Sequence, residues 1–142
     1  MKERTVAVSG GFDPLHIGHV RMMEAARELG TRLVVIVNDD AFLMRKKGYV
    51  FMKQYERLEI VRALKCVDEA VLAIDKDQTV CETLRMIKAD VFANGGDRKD
   101  TGDIPEASVC ADLDIEMVFN VGGGKVQSSS HLVRKGATKV YE

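Results

Sequence analysis

Thr5-Val6-Ala7-Val8-Ser9-Gly10-Gly11-Phe12-Asp13-Pro14-Leu15-His16-Ile17-Gly18-His19 joins an apolar run to an amphipathic one. The run Thr5–Val8 reads as a strand, and Val20–Leu29 reads as a helix. Two glycines therefore stand at a strand exit, and two histidines stand at a helix start. A helix N-terminus offers free N–H groups and the positive end of its dipole, which suits a phosphate. Residues three apart share a helix face, so both imidazoles can meet one phosphate group. A plainer structural reading makes His19 a helix cap and His16 a surface turn residue.

Composition narrows the setting. The chain has 142 residues, 46% hydrophobic and 30% charged, with a net charge of −1. That is ordinary for one globular domain spanning residues 1–142. A balanced charge supplies no global basic field for nucleic acid, so phosphate binding must come from local clusters. Cys66, Cys81 and Cys110 are far apart in the chain, with neither paired metal-ligand spacing nor a disulfide framework. Met1-Lys2-Glu3-Arg4 leads straight into the first strand without a signal peptide, and no apolar run reaches membrane-spanning length. The expectation is a cytoplasmic protein without a membrane or nucleic-acid partner and without a dedicated metal site.

Short apolar runs alternate with longer amphipathic ones. Strands are expected at Thr5–Ser9, Leu33–Asn38, Ala70–Ile74, Val91–Asn94 and Glu116–Asn120. Their Val and Ile content is nearly continuous, as in strands buried on both faces. Helices are expected at Ile17–Leu29, Tyr55–Leu64, Thr79–Ile87, Ile104–Leu113 and Ser129–Lys135. This alternation predicts an α/β fold, a parallel five-stranded sheet flanked by helices.

Gly10-Gly11-Phe12-Asp13 followed by His16-Ile17-Gly18-His19 resembles the HxGH nucleotidylyltransferases of the cytidylyltransferase-like family. The likeness runs from about Val6 to Arg134. Its motifs are nearest to those of heptose-phosphate nucleotidylyltransferases and glycerol-3-phosphate cytidylyltransferases. It implies a Rossmann-like sheet with ligands over the carboxyl ends of the strands. It also implies nucleotidyl transfer from a nucleoside triphosphate to a phosphorylated acceptor, with pyrophosphate released. His16 and His19 would contact the α-phosphate, with Gly10, Gly11, Phe12, Asp13 and Gly18 shaping the nucleotide site.

Further segments carry the same resemblance. Met44-Arg45-Lys46-Lys47-Gly48 is similar to a K-x-x-K-G pattern, with Met44 at the first lysine position. Three cations before a glycine suit a mobile loop, from which Lys46 or Lys47 would close over the β- and γ-phosphates. In Gln54-Tyr55-Glu56-Arg57, Arg57 would lie near the phosphates; its alternative is a surface arginine paired with Glu56 or a neighbour. In Asn94-Gly95-Gly96-Asp97-Arg98, Gly96 and Asp97 would place the nucleoside, as in the G-G-D segment of the heptose-phosphate enzymes. Gly122-Gly123-Gly124-Lys125-Val126-Gln127-Ser128-Ser129-Ser130 resembles a glycine–serine anion cradle, with Gln127, Ser128, Ser129 and Ser130 at the triphosphate. Gln127 replaces the usual small apolar residue there, and Gly123 stands where the cytidylyltransferases carry an arginine. Lone His131 reads as a surface residue or as one that backs the residues touching the ligand.

The resemblance thus implies transfer from CTP or ATP to a sugar or alcohol phosphate, with magnesium held mainly by the nucleotide phosphates. It also implies a homodimer. A flavin-type or other coenzyme adenylyltransferase is the alternative within the family. A nucleotide-binding regulatory module without catalysis is the alternative from another class.

Overall fold

The computed structural model describes residues 2–95, 104–123 and 127–139. The chain runs β1 (Thr5–Gly10), α1 (Ile17–Arg27), β2 (Arg32–Val37), α2 (Asp40–Lys47), α3 (Gln54–Arg62), β3 (Glu69–Leu72), α4 (Cys81–Ile87), β4 (Val91–Ala93), α5 (Ala107–Asp112), β5 (Glu116–Val118) and α6 (Ser129–Lys139). The five strands form one sheet in the order β3-β2-β1-β4-β5, and every pairing is parallel. The expected Rossmann-like α/β architecture is the one observed.

Side-chain alternation sorts the strands into two cores. Val6 and Val8 of β1 join Met23, Val35, Val61 and Val91 on one face of the sheet. Ala7, between them, turns to the other face with Ile36, Leu84, Phe92 and Cys110. Because β1 is central, Val6, Ala7 and Val8 are all fully buried, which explains a run without polar alternation. Carboxylates pin the strand starts: Asp90 accepts from the Thr5 N–H at 2.8 Å, and Asp68 from the Leu33 N–H at 2.7 Å.

Boundaries differ from expectation where local geometry stops an element. β5 ends at Val118, and Asn120 two residues later has a left-handed φ of 57°. α4 starts at Cys81 rather than Thr79, with Asp75 receiving the Glu82 and Thr83 N–H groups. The largest departure is α2. A mobile loop was expected over the basic run, and a helix is found there. Asp39 caps it, accepting from the Phe42 N–H at 2.8 Å, and Gly48 ends it at φ 83°.

β2 and β3 lie to one side of β1, and β4 and β5 to the other. The chain therefore reverses its direction of travel across the sheet beside β1. In sheets of this kind ligands sit at that reversal, over the carboxyl ends of the strands.

Candidate active site

A cavity of about 450 Å³ opens at that position. Gly10, Gly11, Phe12, His16, Gly18 and His19 line it from the β1–α1 turn, Lys46 and Lys47 from α2, and Gln127, Ser128, Ser129 and Ser130 from the start of α6. Segments distant in sequence thus converge as expected.

The histidine pair is built by helix capping. The Gly18 N–H donates to His16 Nδ1 at 3.1 Å, and the His16 N–H donates to His19 Nδ1 at 3.2 Å. His16 and His19 therefore form a reciprocal capping box at the start of α1. Each Nδ1 accepts a hydrogen bond, so in the neutral rings the proton resides on Nε2. The rings stack with centroids 3.8 Å apart, and Phe12 meets His19 edge-on at 5.0 Å. Burial, then the adjacent His16 ring and the Lys47 charge, push the His19 pKa down to about 3. His19 thus stays neutral at physiological pH, with Nε2–H as its donor. The capping and functional readings of the two histidines prove compatible.

α2 holds the lysines in place of the expected loop. Its three cations sit in the last turn, where the helix dipole favours positive charge. Lys46 and Lys47 line the cavity, and the Lys47 ammonium lies 5.8 Å from the Tyr49 ring centroid. Arg45 turns away and bonds Gln78 Oε1 and the Asp77 carbonyl. It is an anchor for the helix.

Arg57 and Asp13 also take roles other than those expected. Neither lines the cavity. The Arg57 side chain is 0% exposed, and it donates to the carbonyls of Met52, Gly11 and Asn38 and to Asp40 Oδ1 at 2.6–2.8 Å. One guanidinium thereby ties the exits of β1 and β2 to the first residue of α2. Its fork is consumed by these acceptors and not presented to a phosphate. Asp13, equally buried, accepts the N–H groups of Phe51 and Met52 at 2.7 and 2.5 Å. Both residues support the histidine turn and the lysine helix.

At α6 the serine hydroxyls are largely committed. Ser128 Oγ accepts from the His131 N–H at 3.3 Å, Ser129 Oγ donates to the Pro14 carbonyl at 2.8 Å, and the Tyr49 hydroxyl donates to Ser130 Oγ at 3.5 Å. Gln127 Oε1 takes the Ser128 N–H at 3.0 Å. Helix geometry leaves the Ser129 and Ser130 amides without intrahelical acceptors, so backbone N–H groups, more than the hydroxyls, are what this helix start offers. His131 is exposed, as expected. Close packing places Gly122 beside α1: a Cβ there would fall 2.8 Å from Met22 Cα, and the residue holds φ 85°.

Gly96 and Asp97 lie outside the described residues, as do Arg98, Gly124, Lys125 and Val126. Sequence reasoning did not assign Asn38, Asn94, Gln78, Thr79 and Glu106 to the site, yet all five line the cavity. Asn38 and Asn94 immediately follow β2 and β4, and that position at a strand's carboxyl end was the available signal. Glu106 precedes α5 and carried no local signal. Among the described residues no group of three His, Cys, Asp or Glu side chains could hold a metal ion. Cys66, Cys81 and Cys110 are free thiols, and burial raises the Cys110 pKa to about 11. Among the described residues no helix is long and apolar enough to cross a membrane.

The family model described as cytidylyltransferase-like matches residues 7–122. The chain belongs to the cytidylyltransferase-like family. Other members show the range of this family. The "Bifunctional protein HldE" of Streptomyces coelicolor is 44% identical over 106 residues, 73% of this chain and 22% of that protein. The "FAD synthase" of Methanothermobacter thermautotrophicus is 40% identical over 99 residues, 68% of this chain and 64% of that protein. The chain thus spans about a fifth of the first and less than two thirds of the second. A solved "lipopolysaccharide core biosynthesis protein" from Thermoplasma volcanium superposes with a TM-score of 0.70 at 27% identity, covering 89% of this chain and 100% of that one. The resemblance drawn from the residues around the two histidines is borne out at the level of family and fold.

Proposed function

We propose that this cytidylyltransferase-like chain is a nucleotidylyltransferase. It moves a nucleoside monophosphate from CTP or ATP to a small sugar or alcohol phosphate and releases pyrophosphate. The observation that carries the reading is the paired, stacked imidazoles, each with Nδ1 engaged by a backbone N–H, in a cavity shared with Lys46 and Lys47.

In this mechanism an oxygen of the acceptor phosphate attacks the α-phosphorus in line. The new P–O bond forms as the bond from the α-phosphorus to the bridging oxygen breaks, and that bond's electrons leave on pyrophosphate. The attacking oxygen is already deprotonated, so no general base is required. The catalysis asked of the protein is positioning and charge stabilisation. His16 and His19 donate from Nε2 to α-phosphate oxygens. Lys46 and Lys47 meet the charge that develops on the departing pyrophosphate, and the first-turn amides of α6 receive its other oxygens. Gly10, Gly11 and Gly18 let the backbone come close. Magnesium prefers oxygen ligands and retains water, and Glu106 is the one carboxylate among the described lining residues. The ion would therefore ride on the triphosphate oxygens, where it neutralises phosphate charge when bound.

Transfer to a coenzyme precursor is the second reading, favoured by the likeness to FAD synthase. The test crosses ATP, CTP, GTP and UTP with hexose 1-phosphates, glycerol 3-phosphate and FMN, and measures pyrophosphate. Release from one pair, lost in His16→Asn, is the expected result. Tight nucleotide binding with no release from any pair would replace the enzyme by a nucleotide-binding module.

A further inference from the structure

The cavity has two chemically different walls. On one side stand the β1–α1 turn, α2 and α6, and the cations that line the cavity, Arg21, Lys46 and Lys47, belong to α1 and α2. The other wall rises from the opposite face of the sheet, where α4 and α5 pack. It is made by Gln78, Thr79 and Val80 before α4, by Asn94 at the tip of β4, and by Glu106 before α5. Among the described residues this second wall contributes a carboxylate, two amides and a hydroxyl, and no cation.

Glu106 is 4% exposed. Its Oε2 accepts the Val80 N–H at 2.9 Å, and its backbone carbonyl accepts the Cys110 N–H at 3.0 Å. The carboxylate is therefore fixed between the starts of α4 and α5. Burying such a group is costly unless hydrogen bonds compensate it, and its two oxygens offer roughly four acceptor sites in all. A phosphate placed against this wall would meet like charge. A neutral group rich in O–H donors would meet acceptors held in fixed positions.

We propose that Glu106 is a specificity-determining residue whose buried carboxylate receives a vicinal diol of the substrate, in a cavity that Asn94, Gln78 and Thr79 also line. The diol belongs to a sugar-like acceptor or to the ribose of the nucleoside triphosphate. This rests on the nucleotidylyltransferase reading and adds to it the part of the substrate that carries no phosphate.

The test compares wild type with Glu106→Gln, which keeps an acceptor for the Val80 N–H and turns the other oxygen into a donor. Pyrophosphate release is measured with α-D-mannose 1-phosphate and with methyl phosphate, each against ATP and CTP. The expected result is a rise in KM of about tenfold for the diol-bearing substrate, with kcat changed less than about threefold. If the diol is the acceptor's, KM rises for mannose 1-phosphate and holds for methyl phosphate and for the nucleotide. If it is the ribose, KM rises for the nucleotide with either acceptor, and 2′-deoxynucleotides already show that rise in wild type. Equal losses with both acceptors and an unchanged nucleotide KM, or no KM change, would overturn the proposal. Glu106→Asp retracts the carboxylate by one methylene and must give the same selective loss if the Gln variant does not fold. Should wild type release no pyrophosphate with any pair, the transferase reading fails separately. Saturation-transfer NMR of mannose 1-phosphate, ATP and CTP then decides the subsite. Sugar-ring signals present in wild type and lost in Glu106→Gln support it, and equal or absent signals overturn it.

Discussion

In the proposed reaction, His16 would serve folding and chemistry with different atoms. Nδ1 takes the Gly18 N–H at the start of α1, and in that reaction Nε2 is the atom that would donate to a phosphate. Asparagine separates the two roles, because its Oδ1 can stand where Nδ1 stands and it is a strong N-cap residue. His16→Asn should therefore unfold in urea within about 1 kcal/mol of wild type. Pyrophosphate release should fall by about a hundredfold or more, the usual effect of losing one preorganised donor. Parallel losses of stability and turnover would reduce His16 to a cap. His19 adds a pH dependence whose sign follows from its depressed pKa. The unfolded chain protonates it near 6.5, whereas the folded chain resists until about 3. Between those values the unfolded state binds more protons, so folding stability falls as pH drops from about 6.5 towards 3. His19→Asn should flatten part of that slope in denaturant titrations across the same window. The histidine spacing made the pair legible in the sequence. The shared hydrogen bonds that fix both rings were not, because tautomer and cap depend on backbone geometry that spacing alone does not specify.

At the scale of the element, α2 and Arg57 form one device. Asp39 and Gly48 are ordinary start and stop signals for a helix, visible in the sequence. Leu43 is the one buried apolar residue α2 carries, so hydrophobic periodicity was too faint to reveal it. Arg57 was illegible for the opposite reason: a cation in a helical segment reads as exposed, and here it is buried to satisfy carbonyls from separate segments. Arg57→Ala would strand the Gly11, Asn38 and Met52 carbonyls and release Asp40. A stability loss of about 3–5 kcal/mol is expected, since each carbonyl left without its donor costs about 1–3 kcal/mol. Arg57→Lys should recover only part of it, since one ammonium cannot reproduce the planar fork. Chemical denaturation of both variants checks this order, and a loss below about 1 kcal/mol for Arg57→Ala would contradict the supporting role.

At the scale of the molecule, a parallel sheet flanked by helices was implicit in the alternation of apolar runs, whereas the strand order that puts the cavity where the chain reverses is seen only in the fold. Val6, Ala7, Val8 and the run Leu33–Val37 announced doubly buried strands without ambiguity. The second wall of the cavity stayed hidden because Asn94 and Glu106, on separate segments, come to line one cavity only after the sheet has closed. The central place of β1 also has a consequence for synthesis. Its partner on one side, β2, follows soon after it, but its partner on the other, β4, begins at Val91. While residues 38–90 are being translated, the strand that emerges first keeps one flank of its backbone unpaired, with apolar side chains beside it. A fragment ending at Asp90 should therefore self-associate through that open flank and elute from a sizing column well above monomer size, whereas a monomeric fragment would show the flank to be covered some other way. The nascent chain thus passes through a sticky half-sheet, and the most dangerous moment in the life of this protein comes before its cavity has a second wall.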